Sequence, residues 1–230
     1  MLTTRHLLAR AMFGLSAAPD RNTVPNAEST AKRIDHLLCP GQIALLTGPS
    51  GAGKSTILKH LKHQLRARNH AVIIADPSRL ATRAPSPRVI DALNAPLPTT
   101  LSLLASCGLA DATILDRRIH ELSTGQRWRL SLALAMHRTR RLGSQQHATL
   151  IVDEFASMLD DISAHSLCRT LCRWITSRPI RAICATHNHS LRESLTPEVL
   201  ATQPLHGSAL IQTGAATDDP RQPQMKEQTP

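Results

Sequence analysis

A glycine-rich stretch near residue 50 has residue types and a spacing that suit the binding of a polyphosphate. It fills the pattern G-x-x-x-x-G-K-[ST] with Gly48, Pro49, Ser50, Gly51, Ala52, Gly53, Lys54, Ser55 and Thr56. The glycines let successive backbone N–H groups point inward, and the following helix adds the positive end of its dipole. Lys54 would reach the β- and γ-phosphates of a nucleotide, and the Ser55 hydroxyl would hold Mg²⁺. The stretch therefore predicts a phosphate-binding loop.

The segments on either side of this loop support the prediction. The apolar run before it, Ile43-Ala44-Leu45-Leu46-Thr47, is typical of a buried strand. After the loop, apolar residues recur at helical spacing, at Ile57, Leu58, Leu61 and Leu65. Because strand, loop and helix stand in the order that phosphate binding requires, we prefer this interpretation to a surface turn rich in glycine and serine.

Two further segments carry residues that suit phosphate chemistry. Leu122-Ser123-Thr124-Gly125-Gln126 stands at the head of a predicted helix, where Ser123 offers a hydroxyl and Gly125 a backbone N–H close to an anion. The apolar segment Thr149-Leu150-Ile151-Val152 is followed by Asp153 and Glu154, which predicts two carboxylates beside the loop. The less specific interpretations are a helix capped by Ser123 and an acidic pair on the surface.

In this order, the segments resemble the ATP-binding-cassette (ABC) ATPases over residues 35–195. The family signature is L-S-G-G-Q, and Thr124 replaces its first glycine here. The resemblance implies that Ser123, Gly125 and Gln126 face the γ-phosphate bound by a partner subunit. It also implies that Asp153 organises Mg²⁺ and that Glu154 is the general base.

Two more segments match the same family. Ser157-Met158-Leu159-Asp160 resembles the loop that crosses the dimer interface of these ATPases. His187 ends a predicted strand and matches the family's switch histidine, which contacts the γ-phosphate. A purely structural histidine is the alternative.

The sequence departs from the family pattern in three respects. The family's glutamine between loop and signature has no counterpart, because Gln64 comes too early, and Asp76 or Asp91 could take part of its role. The only aromatic residue upstream that could stack on adenine is Phe13, which lies far back in the chain. Compared with the family, the stretch between the phosphate loop and the signature is short, and the stretch between the signature and the acidic pair is longer.

The formal net charge of +10 makes nucleic acid a possible partner. Basic residues gather after the phosphate loop and after the signature, at Lys59, Lys62, Arg66, Arg68, Arg127, Arg129, Arg138, Arg140 and Arg141. A loop predicted from Arg138 to His147 lacks acids and is the candidate for contact with phosphate backbones. The scarcity of aromatic residues, two Phe, two Trp and no Tyr, disfavours base stacking. Solvated helix faces and a general arginine bias are the alternatives.

The cysteines and apolar runs bear on cellular location. Five cysteines at irregular spacing predict no disulfide framework and hence a reducing cytoplasm. Cys168 and Cys172, with His165 just before, could hold a metal, but we prefer a buried helix face because no second ligand pair follows. No apolar run approaches the roughly 20 residues of a membrane-spanning helix, so we expect a soluble protein. Residues 1–15 mildly resemble a targeting peptide, but Arg10 interrupts the apolar run and favours an ordinary helix.

The remaining pattern predicts the elements that position these motifs. Strands are expected at 42–47, 71–75, 149–152 and 180–186, and helices at 54–68, 101–107, 123–136 and 161–177, the third of them capped by Ser123. Thr99 or Thr100 would cap the second helix and Gly108 would end it. Ile162 is placed among the apolar residues of the last helix. A short helix from His189 and a weak strand near Leu210 would follow, and prolines exclude long helices from 77–98.

Strands that alternate with helices predict an α/β fold, a P-loop NTPase with a mostly parallel sheet flanked by helices and a reduced helical subdomain. We expect an N-terminal helix and linker over residues 1–30, the ATPase domain over 31–212 and a disordered tail over 213–230.

The resemblance implies an ABC-type ATPase that binds ATP and Mg²⁺ and hydrolyses ATP. It would act as an ATP-sandwiched homodimer that drives conformational change in a protein partner. Alternatives are the ATP-binding subunit of a membrane ABC transporter, a soluble ATPase acting on nucleic acid, and a regulator without turnover. Glu154 and His187 count against the regulator, and the missing glutamine counts against the transporter.

Overall fold

The helices and strands follow the alternation expected from the sequence. The computed structural model describes residues 3–5, 8, 12, 26–81, 86–142 and 148–214. The strands are β1 (Ile43–Thr47), β2 (Ala71–Ala75), β3 (Ala148–Val152), β4 (Ile180–Thr186), β5 (Val199–Thr202) and β6 (Leu210–Thr213). The α-helices are α1 (Ala27–Leu37), α2 (Lys54–Ala67), α3 (Ser78–Ala81), α4 (Leu97–Ser106), α5 (Ala112–Leu115), α6 (Thr124–Arg141), α7 (Asp161–Thr176) and α8 (Leu191–Leu195). No helix within these ranges is long and apolar enough to cross a lipid bilayer.

The strands form one mixed sheet in the order β2-β3-β4-β1-β5-β6. The first five are parallel, and β6 pairs antiparallel with β5 at the edge. Every residue of β1, β3 and β4 is buried, as expected for central parallel strands covered by helices on both faces. The mostly parallel α/β fold predicted from the sequence is confirmed.

The two faces of the sheet carry separate apolar cores. On one face, α1 and α2 pack through Ile34 and Leu61 against the side of the sheet that includes Ile183. On the other face, α6 and α7 pack through Leu130 and Leu171. The helices run back across the sheet between parallel strands, so the loop before α2 and the acidic residues after β3 lie at the same edge.

A buried ion pair ties α1 to the sheet and explains the charged residue inside β4. Arg181 is 9% exposed and donates to Asp35, to the carbonyl oxygen of Leu38 at 2.7 Å and to the hydroxyl of Thr149 at 2.9 Å. Arg68, at the end of α2, also donates to Asp35, at 2.8 Å. The buried guanidinium of Arg181 is thus both ion-paired and hydrogen-bonded, as a buried charge must be.

Three local predictions differ from the structure. Helix α4 begins at Leu97 rather than after Thr99 or Thr100, since a proline is tolerated in the first turn of a helix. Helix α6 continues to Arg141, so the prediction of a loop is wrong for residues 138–141. Residues 143–147 lie outside the described residues. Ile162 is 84% exposed instead of facing the core. Gly108, the second residue after the end of α4, has a φ of +73°, which confirms the predicted stop.

The ends of the chain were less predictable. Helix α1 starts at Ala27, four residues before the expected start of the compact domain, and Ala27 and Ala31 are buried. Strand β5 was not predicted, and β6 extends to Thr213. The linker and the tail fall mostly on residues 13–25 and 215–230, outside the described residues, as does most of the segment 1–15. The division of the chain into 1–30, 31–212 and 213–230 stays a prediction.

Candidate nucleotide-binding site

The phosphate loop connects β1 to α2 and depends on glycine at each of its turns. Gly51 and Gly53 have φ values of +80° and +94°, and Gly53 stands directly before the first turn of α2. Gly48 lies against β5, where a Cβ atom would overlap the carbonyl oxygen of Gln203. Glycine is therefore required by conformation at two positions and by close backbone approach at Gly48.

The Lys54 side chain lies along the loop itself. Its ammonium group donates to the carbonyl oxygens of Gly48 and Pro49, at 2.7 and 2.8 Å. Burial lowers the pKa of Lys54, and the carboxylates of Asp153 and Glu154 act in the opposite direction. Both carboxylates are thus near enough to influence the loop lysine, as the order of motifs predicted.

A cavity of about 400 Å³ brings the loop and the acidic pair together. Its lining includes Ser55, Asp153 and Glu154, together with Asp76 and Trp128. Hydroxyl and carboxylate oxygens are the ligands that Mg²⁺ prefers, so these residues fit the ion. A larger cavity of about 660 Å³ lies at the opposite edge of the sheet, beside Asp35 and Arg181, and contains none of the motif residues.

The chain leaves β3 through a strained turn that presents Glu154. Glu154 is exposed and has a φ of +49°, a conformation that side chains other than glycine seldom adopt. The next residue, Phe155, is fully buried, and its N–H donates to the carbonyl oxygen of Ala185 at 2.7 Å. Its ring meets Trp128 edge-on at 5.6 Å. The buried aromatic pair anchors the turn, so that Glu154 is held out toward solvent.

The signature segment forms the amino-terminal cap of α6. The hydroxyl of Ser123 accepts from the N–H of Gln126 at 3.2 Å, and the Gln126 side chain accepts from the N–H of Ser123 at 3.0 Å. This reciprocal pair is a capping box, so the structural role that we considered for Ser123 is present. At Gly125, a Cβ atom would lie 3.2 Å from the carbonyl oxygen of Met158. The signature and the loop 157–160 therefore form one continuous surface.

The loop after β4 carries two histidines. His187 is exposed at the end of β4, as predicted. The Nδ1 atom of His189 lies 2.8 Å from the hydroxyl of Thr47, the residue before the phosphate loop. Sequence analysis did not identify His189 as a site residue, because no spacing links it to Thr47 across 142 positions.

The two acidic residues considered for the missing glutamine lie in different places. Asp76 lines the cavity with Ser55, Asp153 and Glu154, and hydrogen bonds from Ser78 hold its pKa below the usual value. Asp91 is exposed in the 3₁₀ turn Val89–Asp91 and does not line this cavity. Phe13, the candidate for adenine stacking, lies outside the described residues.

The cysteines pack as apolar residues. Cys168 lies on the buried face of α7, and burial raises its pKa to about 12. Cys172 is half-buried and its thiol donates to the carbonyl oxygen of Leu195 at 3.1 Å. His165 bonds to the hydroxyl of Ser194 at 2.7 Å. The preferred interpretation of this pair as part of a packed helix face agrees with these contacts.

A family model described as the AAA ATPase domain matches residues 28–183. Curated relatives include the phosphonates import ATP-binding protein of Rhodopseudomonas palustris, 24% identical, with 85% of this chain and 82% of the relative covered. The zinc import ATP-binding protein of Ruegeria pomeroyi is 28% identical, with 87% and 83% covered. The probable iron export ATP-binding protein of Escherichia coli is 26% identical, with 67% and 76% covered.

Solved structures with the same fold come from ATP-binding cassettes. A component of an ABC transporter complex from Clostridium perfringens aligns with a TM-score of 0.53 at 19% identity, over 76% of this chain and 77% of that one. A dimeric ATP-binding cassette bound to ADP and phosphate aligns with a TM-score of 0.56 at 14% identity, over 76% and 86%. At these identities the alignments establish the fold that carries the site.

Proposed function

Because the chain belongs to the AAA ATPase domain family and is an ABC-type ATPase that hydrolyses ATP, we propose that it is the ATP-binding subunit of a membrane transport complex. Relatives of similar length support this proposal, since their names describe ATP-binding proteins for import of phosphonates, import of zinc and probable export of iron. They support the transporter alternative of the sequence analysis more than a soluble role. The transported substrate differs among these relatives, so the proposal names none for this chain.

The hydrolytic part of the proposal is supported by the cavity that Ser55, Asp153 and Glu154 line together. The N–H groups of the loop and the ammonium of Lys54 would bind the phosphates, and Ser55 and Asp153 would bind Mg²⁺. When bound there, Mg²⁺ would neutralise charge that develops on the phosphates. Glu154 accepts a proton from the attacking water, and His187 donates a hydrogen bond to the γ-phosphate.

We further propose that two copies bind head to tail across ATP. The surface formed by the signature and loop 157–160 supports this arrangement, because it exposes apolar side chains beside the capped end of α6. Met158 is 53% exposed and Ile162 is 84% exposed. Exposed apolar side chains next to a ligand site are typical of an interface with another protein. In the dimer, Ser123 and Gly125 of one copy would complete the site of the other.

The hydrolytic role is tested by changing Glu154→Gln, which keeps the shape of the side chain and removes its charge. Loss of a general base lowers turnover by about 10²- to 10⁴-fold, while the affinity for ATP should stay close to that of the wild type. The matched control is Glu193→Gln, the same change on an exposed side chain of α8. Turnover that is equal in the two variants would exclude Glu154 as the base.

The same variant tests the dimer and the partner. With ATP, light scattering of Glu154→Gln should give twice the 25.1 kDa of a single chain, and ADP should restore the monomer. Capture of this ATP-trapped form from detergent-solubilised membranes should recover a multi-span membrane protein. A strict monomer at high concentration would contradict the sandwich, and recovery of nucleic acid alone would favour the soluble alternative.

A further inference from the structure

The larger cavity, of about 660 Å³, lies on the side of the sheet away from the phosphate loop. Its lining includes Ala148, the first residue of β3, and Pro179, which immediately precedes β4. These parallel strands therefore begin at the cavity, whereas the nucleotide site lies at their carboxyl ends. The volume is within the range of small-molecule sites in proteins, about 300–1,000 Å³. A ligand in this cavity would not compete with a nucleotide.

Basic side chains from several elements meet at this cavity, together with the carboxylate of Asp35. They are Lys32 and His36 of α1, Arg68 after α2, His70 before β2 and Arg181 of β4. The lysine and the two arginines are positively charged at neutral pH. Among the described residues that line the cavity, Asp35 is the one acid, so the lining carries a net positive charge.

Asp35 cannot neutralise both of the guanidinium groups that it contacts. It is buried, and Arg181 donates to one of its carboxylate oxygens while Arg68 donates to the other at 2.8 Å. A single carboxylate carries one negative charge, so the two arginines keep an excess positive charge beside the cavity. Because charges interact more strongly away from bulk water, this excess favours a bound anion.

Both guanidinium groups keep hydrogen-bond donors for a ligand. A guanidinium has five N–H donors. In the hydrogen bonds among the described residues, Arg68 uses one of them, on Asp35, and its side chain is 66% exposed. Arg181 uses four, on Asp35, Leu38 and Thr149. Since guanidinium groups bind phosphate and carboxylate oxygens through paired donors, Arg68 can bind an oxyanion while it still contacts Asp35.

We propose that this cavity binds a small organic anion through a phosphate or carboxylate group, with Arg68 and Lys32 as its main charged contacts. Pro40 and Pro179 in the lining supply apolar surface for the rest of the ligand. Lys32 lies 2.8 Å from Glu28, but both side chains are 61% exposed, and such a pair is weak enough to be exchanged for a ligand. The site is separate from the proposed nucleotide site and does not depend on it.

The competing explanation is that these cations only complement the negative carboxyl ends of α1 and α2. That explanation makes Arg33 and Arg66 equivalent to Lys32 and Arg68, since they are exposed on the same two helices but do not line the cavity. The double change Lys32→Gln with Arg68→Gln is therefore compared with Arg33→Gln and Arg66→Gln, which removes the same charge from the same helices. Glutamine keeps an amide donor for Asp35.

The experiment measures binding of phenyl phosphate and benzoate by isothermal titration calorimetry. It uses the full chain without nucleotide, in EDTA and at low salt. The wild type should bind at least one probe, and the tighter one shows whether the site prefers phosphate or carboxylate. The change of Lys32 and Arg68 should weaken this binding by about 10- to 100-fold, the range for hydrogen bonds to charged groups. The change of Arg33 and Arg66 should match the wild type.

Two single variants complete the test. Lys32→Gln leaves the contacts of Asp35 intact and should weaken binding in the same direction, which separates the effect from any loss of folding. Lys54→Ala alters the phosphate loop and should retain the binding of the probes. If the wild type binds neither probe, or if the two double variants weaken binding equally, the inference is wrong. If binding is lost in Lys54→Ala alone, the probes occupy the phosphate loop, so the inference is wrong while the proposed nucleotide site stands.

Discussion

Replacing Gly48 by alanine tests whether the phosphate loop depends on close contact with β5. A Cβ atom on Gly48 would overlap the carbonyl oxygen of Gln203 and lie 3.1 Å from its carbonyl carbon. Gln203 cannot easily retreat, since its N–H donates to the carbonyl oxygen of Thr47 at 2.8 Å and its side chain is buried. The added methyl group must therefore push β5 away from the end of β1.

The magnitude follows from comparison with Gly51, which stands in the same loop with a φ of +80° but has no atom within 4 Å of its Cβ position. Gly51→Ala should cost only backbone strain, about 1–2 kcal/mol. Gly48→Ala, at a φ of +148°, adds overpacking of roughly 1–3 kcal/mol and a weakened hydrogen bond of about 1 kcal/mol. We expect Gly48→Ala to be less stable than Gly51→Ala by about 3 kcal/mol.

The assay is chemical denaturation of both variants and the wild type without nucleotide, so that ATP binding does not contribute to the free energy of unfolding. In thermal melts the same difference corresponds to a midpoint roughly 10 °C lower for Gly48→Ala. Equal stability of the two alanine variants would refute the reasoning. It would mean that β5 is displaced at little cost and that the contact at Gly48 is not needed for the fold.

Two further predictions concern the thiols and the basic residues of α6. The exposed Cys39 should be the thiol that reacts fastest with a thiol reagent, because burial raises the pKa of Cys107 and of Cys168 to about 12 and also raises the pKa of Cys172 and Cys184. Rapid reaction of Cys107, Cys168 or Cys184 would contradict the packing of the core. If the α6 arginines bind phosphate backbones, changing Arg138, Arg140 and Arg141 together to Gln should make binding to DNA and RNA less dependent on salt. The slope of the logarithm of the binding constant against the logarithm of the salt concentration should become smaller in magnitude by up to about 3. An unchanged slope, or no binding of the wild type at low salt, would exclude that surface.

Much of the site was predictable because its information is local. The glycines, Lys54 and Ser55 occupy consecutive positions, and their geometry follows from a strand, a turn and a helix that each have their own pattern. Asp153 and Glu154 likewise follow a short run of apolar residues that is typical of a buried strand. The capping box that starts α6 is also a short-range signal, with Ser123 and Gln126 three positions apart.

The features that sequence analysis missed depend on contacts between distant segments. The extension of α6 to Arg141 is stabilised by burial of Met136, His137 and Thr139, which no local propensity reveals. The hydrogen bond of His189 to Thr47 and the position of Asp76 beside Asp153 require the pairing of strands to be known. Sequence analysis could therefore suggest Asp76 and Asp91 equally, and only the sheet distinguishes them.

The strand order adds a constraint on the chemistry that the order of motifs along the chain does not contain. The phosphate loop follows β1 and the acidic pair follows β3, but β4 lies between these two strands in the sheet. His187, at the end of β4, therefore stands between the loop and Glu154. The N–H of Phe155 donates to the carbonyl oxygen of Ala185 in β4, and His189 bonds to Thr47 at the end of β1. These two contacts hold the end of β4 and the loop after it, one before His187 in the chain and one after it. The position of His187 at the end of β4 supports the role that we propose for it.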